Sequence, residues 1–307
     1  MRGSRGTHGG IWGALLLASA LLAACGGGGG GSDNNDIGYR GVTFGNGQFV
    51  AVGSEGLVET SAGGRDFQRQ DSGVEATLNG VVFGGGQYVA VGDSGTLLTS
   101  PDALGWTPQS VPTAASLQDV TFQDGRYVAV GYVGTILTSS DGRSWQAQSS
   151  GTARALRGVT FGLDRFVAVG EGGTILTSTD ATSWTSVGSP SGEGFNRVRF
   201  VAGRFIAVGF VGAIATSNDG LTWSVRRENF SNFSTLNDLV FAKGLVVIVG
   251  AGGVIATSPN GDGLTQRVSH TTQILAGVAF GGDDRYVAVG SNRVVDTSLD
   301  GIEWGTE

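Results

Sequence analysis

The sequence predicts an all-β fold, a seven-bladed β-propeller of four-stranded antiparallel blades, on three observations. First, a repeat fills the chain from Gly41 to Trp304. Its phenylalanine recurs at Phe44, Phe83, Phe122, Phe161, Phe200, Phe241 and Phe280, and its closing glycine at Gly53, Gly92, Gly131, Gly170, Gly209, Gly250 and Gly290. Second, each copy holds four short runs rich in β-branched and aromatic residues, broken by Gly, Asp and Asn, the pattern of strands joined by tight turns. Third, in runs such as Arg126 to Val130, successive side chains point to opposite faces of a sheet, yet both faces are apolar. Such a sheet needs cover on both sides, which one copy cannot supply and stacked copies can.

Taken in order, the elements of a copy are a run ending at the Phe, a run like YVAVG, a run like TILTS and a run starting at a Trp. The first copy keeps Phe49 to Gly53 and the last keeps Tyr286 to Gly290, as apolar as any interior copy. Neither end carries a polar cap, so a closed ring is expected rather than an open row. Ile302 to Glu307 can complete the last blade, whereas Asp33 to Tyr39 reads as a poor strand. Closure by packing is therefore expected, without an exchanged strand.

Ahead of the repeat, Arg2 and Arg5 precede an apolar run from Ile11 to Leu22 that is short for a bilayer span, followed by Leu22-Ala23-Ala24-Cys25. Cys25 is the one cysteine, so no internal disulfide or cysteine metal cluster can form. This leader resembles a bacterial lipoprotein signal with its lipobox. The resemblance implies a signal peptide over residues 1–24, acylation of Cys25, and anchoring to a membrane; a plain secretory signal or an uncleaved anchor is the alternative. Residues 25–36 form a Gly-rich tether with a reach of about 18 Å, and residues 37–307 the propeller. Gly26 is not the aspartate associated with inner-membrane retention. The expected location is thus the cell envelope, lipid-anchored in the outer membrane of a Gram-negative bacterium.

Between the third and fourth runs lies Ser139-Ser140-Asp141-Gly142-Arg143-Ser144-Trp145, matched by Ser217 to Trp223, Ser178 to Trp184 and Ser298 to Trp304. Asp can accept backbone N–H groups in a tight turn, and Trp can wedge between blades. The motif resembles the Asp-box, or BNR, turn of β-propellers, one residue shorter than the common form. That resemblance makes Asp141, Trp145, Asp180, Trp184, Asp219, Trp223, Asp300 and Trp304 structural. The repeat domain is similar to bacterial BNR-like propellers grouped with photosystem II assembly and stability factors.

The formal net charge is −7, and loss of Arg2 and Arg5 with the leader would make it more negative by two. With no basic stripe, nucleic acid is not an expected partner. Outside the leader, histidine is limited to His270, with no nearby triad partners. No pair of carboxylates can be nominated from spacing. Asp283-Asp284 and Asn260 to Gly263 lack the alternating ligands of a calcium loop. No catalytic residue, metal site or cofactor is expected.

The repeat is least regular on one face. The connection from Ser224 to Thr235 is two residues longer than its counterparts and carries Arg226, Arg227, Phe230 and Phe233, while the turn after the second run holds Tyr132-Val133 and Phe210-Val211 where four of the other copies place Ser, Asp or Glu. Tyr132, Phe210, Val211, Arg226, Arg227, Phe230 and Phe233 are the candidate binding residues, because exposed aromatics with arginine make binding surfaces. Alternatively, Phe230 and Phe233 tuck beneath the loop. The reading is a lipid-anchored extracytoplasmic binding or scaffold module for an unknown protein or glycan, without catalysis of its own. The alternatives are a sialidase-like or other glycan-cleaving enzyme, which needs two carboxylates with Arg or Tyr in the channel, and an assembly factor for a membrane complex.

Overall fold

The computed structural model describes residues 37–230 and 235–305. The leader, Cys25, the tether and Phe233 lie outside the described residues.

The strands form seven antiparallel sheets, each drawn from one contiguous stretch of chain with its strands in sequence order. Blade 3, for example, is Leu117–Gln123, Arg126–Gly131, Ile136–Ser139 and Gln146–Gln148. Six blades have four such strands; in the seventh, Gly305 bridges to Thr297 where the fourth strand of the others lies. The first strands of all seven line a single central channel, so they are innermost and the Trp-led strands are outermost.

The apolar faces meet as the sequence requires. Each of the seven blade interfaces is filled by its own cluster of buried Val, Leu, Ile, Ala and aromatic side chains. The seam between the last and first blades is one of them: Ala279, Val287 and Val289 pack against Tyr39, Phe49, Ala51 and Leu57. The ring thus closes by packing, with no exchanged strand among the described residues.

Two repeated devices explain the periodic residues. The N–H following each closing glycine donates to the carbonyl just before the same blade's first strand, as in Tyr132 to Ser116 at 2.9 Å and Phe210 to Gly194 at 3.1 Å. A Cβ on the closing glycine would overlap that carbonyl, so the position admits only Gly. The repeat phenylalanine stacks on the ring at the start of the second strand, 4.4 Å between centroids for Phe122 and Tyr127, and that ring meets the Trp of the following turn.

The turn itself is a compact hydrogen-bonded unit. Asp141 Oδ1 accepts from the Arg143 and Ser144 amides at 2.8 and 2.7 Å, Ser139 Oγ accepts from the Gly142 amide at 2.9 Å, and the Trp145 indole donates to the Gly142 carbonyl at 2.9 Å. Asp180, Asp219 and Asp300 each accept the corresponding two amides, and the Trp184 and Trp304 indoles donate as Trp145 does, whereas the Trp223 indole is buried without a hydrogen-bond partner. Amides from Thr222 and Leu221 hold the Asp219 carboxyl down to about 2. Trp145, Trp223 and Trp304 are buried, and Trp184 is partly buried.

The seam carries a partly buried ion pair between the first and last blades. Glu59 is fully buried where blades 2, 3 and 4 carry Leu98, Leu137 and Leu176; it accepts from the Tyr39 hydroxyl and pairs with Arg293 of blade 7. Arg293 has φ 57° at a turn position that is Gly in the other six blades. There, a Cβ would overlap a carbonyl of the connection to the next blade, as at Gly134 with Thr152. Blade 7 has no onward connection among the described residues, which frees Arg293 to reach across the seam. Removing one partner of a buried pair strands the other's charge, tempered here because Arg293 is half exposed. Arg293→Ala is expected to cost about 1–3 kcal/mol in denaturant unfolding. Adding Glu59→Leu and Tyr39→Phe should recover most of that loss; a neutral Arg293→Ala would show that the pair does not hold the seam.

Candidate functional site

Strand-two turns and inter-blade connections share one face of the ring, and the site is built there. Every first strand carries a β-bulge at its second residue, where the register with the second strand shifts. Bulges re-aim side chains, and these point toward that face. At three of them the residue is asparagine, and Asn79, Asn196 and Asn237 each donate to a carbonyl of the next blade's first strand at 2.9–3.0 Å. The bulge residue is Arg40, Gln118 and Ala276 in blades 1, 3 and 7, and blade 4 differs by its contacts. Its bulge residue is Arg157, whose guanidinium lies over the Tyr132 ring at 5.8 Å and the Phe210 ring at 5.4 Å, with Glu171 as its ion-pair partner at 2.7 Å.

Tyr132 and Phe210 thus come from blades 3 and 5 and flank an arginine from blade 4. Phe210 fits over Gly194, where any side chain would meet its ring. Next to each aromatic is an exposed valine, Val133 at 71% and Val211 at 45% exposure. Both have left-handed backbone, with φ 56° and 54°. The other blades place Glu55, Ser94, Gly172, Gly252 and Asn292 here. A β-branched residue in this conformation is an outlier that costs about 1–2 kcal/mol, and exposure gives the fold nothing in return. Neither valine's strain is offset by burial of its side chain. Val133 also lines a cleft of about 510 Å³ between Pro112-Thr113 and Ser149 to Ala153.

The remaining sequence candidates divide. Phe230 is not part of an exposed patch: at 7% exposure it packs with Val201, Leu236 and Val254 between blades 5 and 6, because the longer connection folds its apolar ring into that interface. Arg226 is engaged by Glu228 at 2.9 Å and by Asp262 of the next blade at 3.3 Å, away from the Tyr132 and Phe210 pair. Arg227 stays exposed and pairs with Glu193, the neighbour of Gly194, which puts it at the patch margin.

A second cluster sits in the channel, and sequence spacing did not reveal it. Asp119, Arg197 and Asp238 occupy one ring position that is Gly41, Gly80, Gly158 and Gly277 in the other blades. Arg197 reaches Asp119 at 2.6 Å and Asp238 at 3.3 Å, and Arg199 reaches the same two carboxylates at 3.3 and 3.4 Å. Each carboxylate also accepts a next-blade amide, Val159 at 3.0 Å for Asp119 and Val278 at 3.2 Å for Asp238. Burial opposes the charge of Arg197, but Asp119 and Asp238 outweigh it and hold its pKa above the ordinary value. Two carboxylates and two arginines do meet in the channel, as glycan cleavage would need. Both acids are almost fully buried and ion-paired with the two arginines, Asp238 Oδ1 lying within 3.4 Å of both guanidiniums but without a hydrogen bond, so they face ion partners and blade packing rather than an open substrate site.

No protein-family model matches the chain, and no curated protein matches it in sequence. Solved structures do match in fold. A structure described as YCF48 bound to D1 peptide superposes with a TM-score of 0.68 at 18% identity, covering 86% of this chain and 92% of that one. YCF48 from Cyanidioschyzon merolae gives 0.66 at 16% identity, covering 85% and 94%. The WD40 β-propeller domain of Doa1 gives 0.69 at 16% identity, covering 89% and 94%. At these identities the likeness establishes the seven-bladed propeller fold alone.

Relieving the backbone strain tests whether the valines are retained against stability. Val133→Gly and Val211→Gly should each raise the unfolding free energy from denaturant titration by about 0.5–1 kcal/mol once the added chain entropy of glycine is set against the relieved strain. A loss of stability in both variants would mean that the valines pack usefully and that the strain carries no functional meaning.

Proposed function

We propose that this chain is a non-catalytic binding module of the cell envelope that holds an extended peptide segment of another protein. The observation that carries the reading is Arg157 held between Tyr132 and Phe210, flanked by two strained, exposed valines. Aromatic and arginine side chains are the usual anchors of a binding surface, and a guanidinium stacked on rings is pre-ordered for hydrogen bonds to a carbonyl or carboxylate. A propeller of the same architecture, YCF48, has been solved with a D1 peptide bound, which supports a peptide as the partner class. The Ser-x-Asp turns are read as Asp-boxes with a structural role, and the Leu22-Ala23-Ala24-Cys25 leader as the site of lipid attachment, with outer-membrane residence.

A random-peptide display selection against the propeller, repeated with the Arg157→Ala, Phe210→Ala double variant, tests the binding face. Selected peptides are expected to lose at least about tenfold in affinity for the double variant, since two anchor residues of this kind contribute about 2 kcal/mol or more. Equal binding to both proteins would move the site elsewhere. In bacterial expression, metabolic labelling with a radioactive fatty acid should mark the wild-type chain and not Cys25→Ser; label on both would reject the anchor.

A further inference from the structure

Blade 7 holds a buried arginine without a counter-charge, away from both the channel cluster and the Tyr132 and Phe210 patch. Arg285 opens the second strand of that blade and is only 8% exposed. Its counterparts Gln48, Gln87 and Arg126 reach forward to the next blade, donating to the Asp102, Asp141 and Asp180 carbonyls at 2.6–2.7 Å, and Arg204 reaches the Asp262 carboxylate at 2.8 and 3.0 Å. Arg285 makes no such contact. Its Nη1 donates to Thr297 Oγ1 at 3.3 Å, its Nε is buried without a hydrogen-bond partner, and no carboxylate among the described residues pairs with it. A guanidinium withdrawn from water and left without an anion is costly, and an anion brought to it offsets that cost.

Space for an anion lies beside it. Arg285 and Thr297 line a cavity of about 360 Å³ together with Leu299, Trp304 and Gly305, within the size range of small-ligand sites. Two acids, Asp300 and Glu303, line it as well. Asp300 is occupied by the Ile302 and Glu303 amides at 2.8 and 3.0 Å, and the Glu303 side chain is exposed. Their charges repel a dianion such as phosphate more than a single negative charge, and a planar carboxylate matches the fork of a guanidinium. We propose that this cavity binds a small organic monocarboxylate, its carboxylate on the Arg285 guanidinium beside Thr297 and its short apolar remainder against Leu299 and Trp304. The charge-assisted contact supplies the selectivity for an acid, and the two apolar side chains bury the rest of the molecule.

The test is an NMR titration of the full-length chain, with Cys25→Ser to prevent acylation, followed at the Arg285 Nε–H and Thr297 amide resonances. Propionate is expected to shift both saturably, with at least about tenfold weaker binding of propionamide, its neutral isostere, and of inorganic phosphate. Arg285→Gln, read at the Thr297 amide, should weaken propionate at least about tenfold. Gly305→Phe fills the cavity and leaves Arg285 in place; its Cβ would lie 3.4 Å from the His270 ring, an ordinary contact. That variant should abolish the response, which keeps the proposal testable even if Arg285→Gln unfolds. Glu307, outside the described residues, is the chain's own nearby source of a carboxylate, and Glu307→Gln should leave propionate binding unchanged. No saturable shift, equal binding of propionate and propionamide, tighter binding of phosphate, a response that survives Gly305→Phe, or one that emerges only with Glu307→Gln would overturn the proposal. None of these results depends on the peptide face.

Discussion

Every blade presents apolar side chains on both faces of a thin sheet, and that constraint organises the molecule. A two-faced sheet gains by burial only when it lies between two others, so the smallest satisfactory arrangement is a ring in which each blade is both packed and packing. The seven interface clusters, including the seam, are this condition met without exception. The closing glycines follow from it. They let a connection pass close beneath each second strand, drawing neighbouring blades together along the channel.

The departures from the repeat mark where other demands act. At the seam, Glu59 and Arg293 replace a leucine and a glycine because two chain segments distant in sequence meet there, and a buried pair can fix their alignment where no strand crosses over. On the face of the strand-two turns, blades 3 and 5 carry Tyr-Val and Phe-Val where the other blades carry small, polar or acidic residues, and the blade 4 bulge places Arg157 between them. The two departures, in blades 3 and 5, converge on Arg157 and both place a valine in left-handed backbone.

Much of the fold was legible because periodicity reports it directly: blade number, strand order and closure all follow from phenylalanine and glycine spacing and from the unchanged end copies. The site was less legible. Tyr132, Phe210 and Val211 stood out as breaks in a turn pattern, but Arg157 looked like one more scattered arginine, since only the bulge and the neighbouring blades bring it between two rings. Asp119, Arg197, Arg199 and Asp238 span some 120 residues and meet only when the ring closes; reading the column three residues before each repeat phenylalanine, where four glycines alternate with charges, could have found three of them. Phe230 erred in the opposite direction, since an aromatic in an irregular connection is equally suited to filling a blade interface.

The dependence of each blade on its siblings is tested most directly by calorimetry of a chain ending at Ser269, which lacks the seventh blade, against the full ring. Loss of a single cooperative unfolding transition, with dye-binding apolar surface on the exposed blades, is the predicted result. A truncated chain that still unfolds in one sharp transition within a few degrees of the full ring would contradict the account.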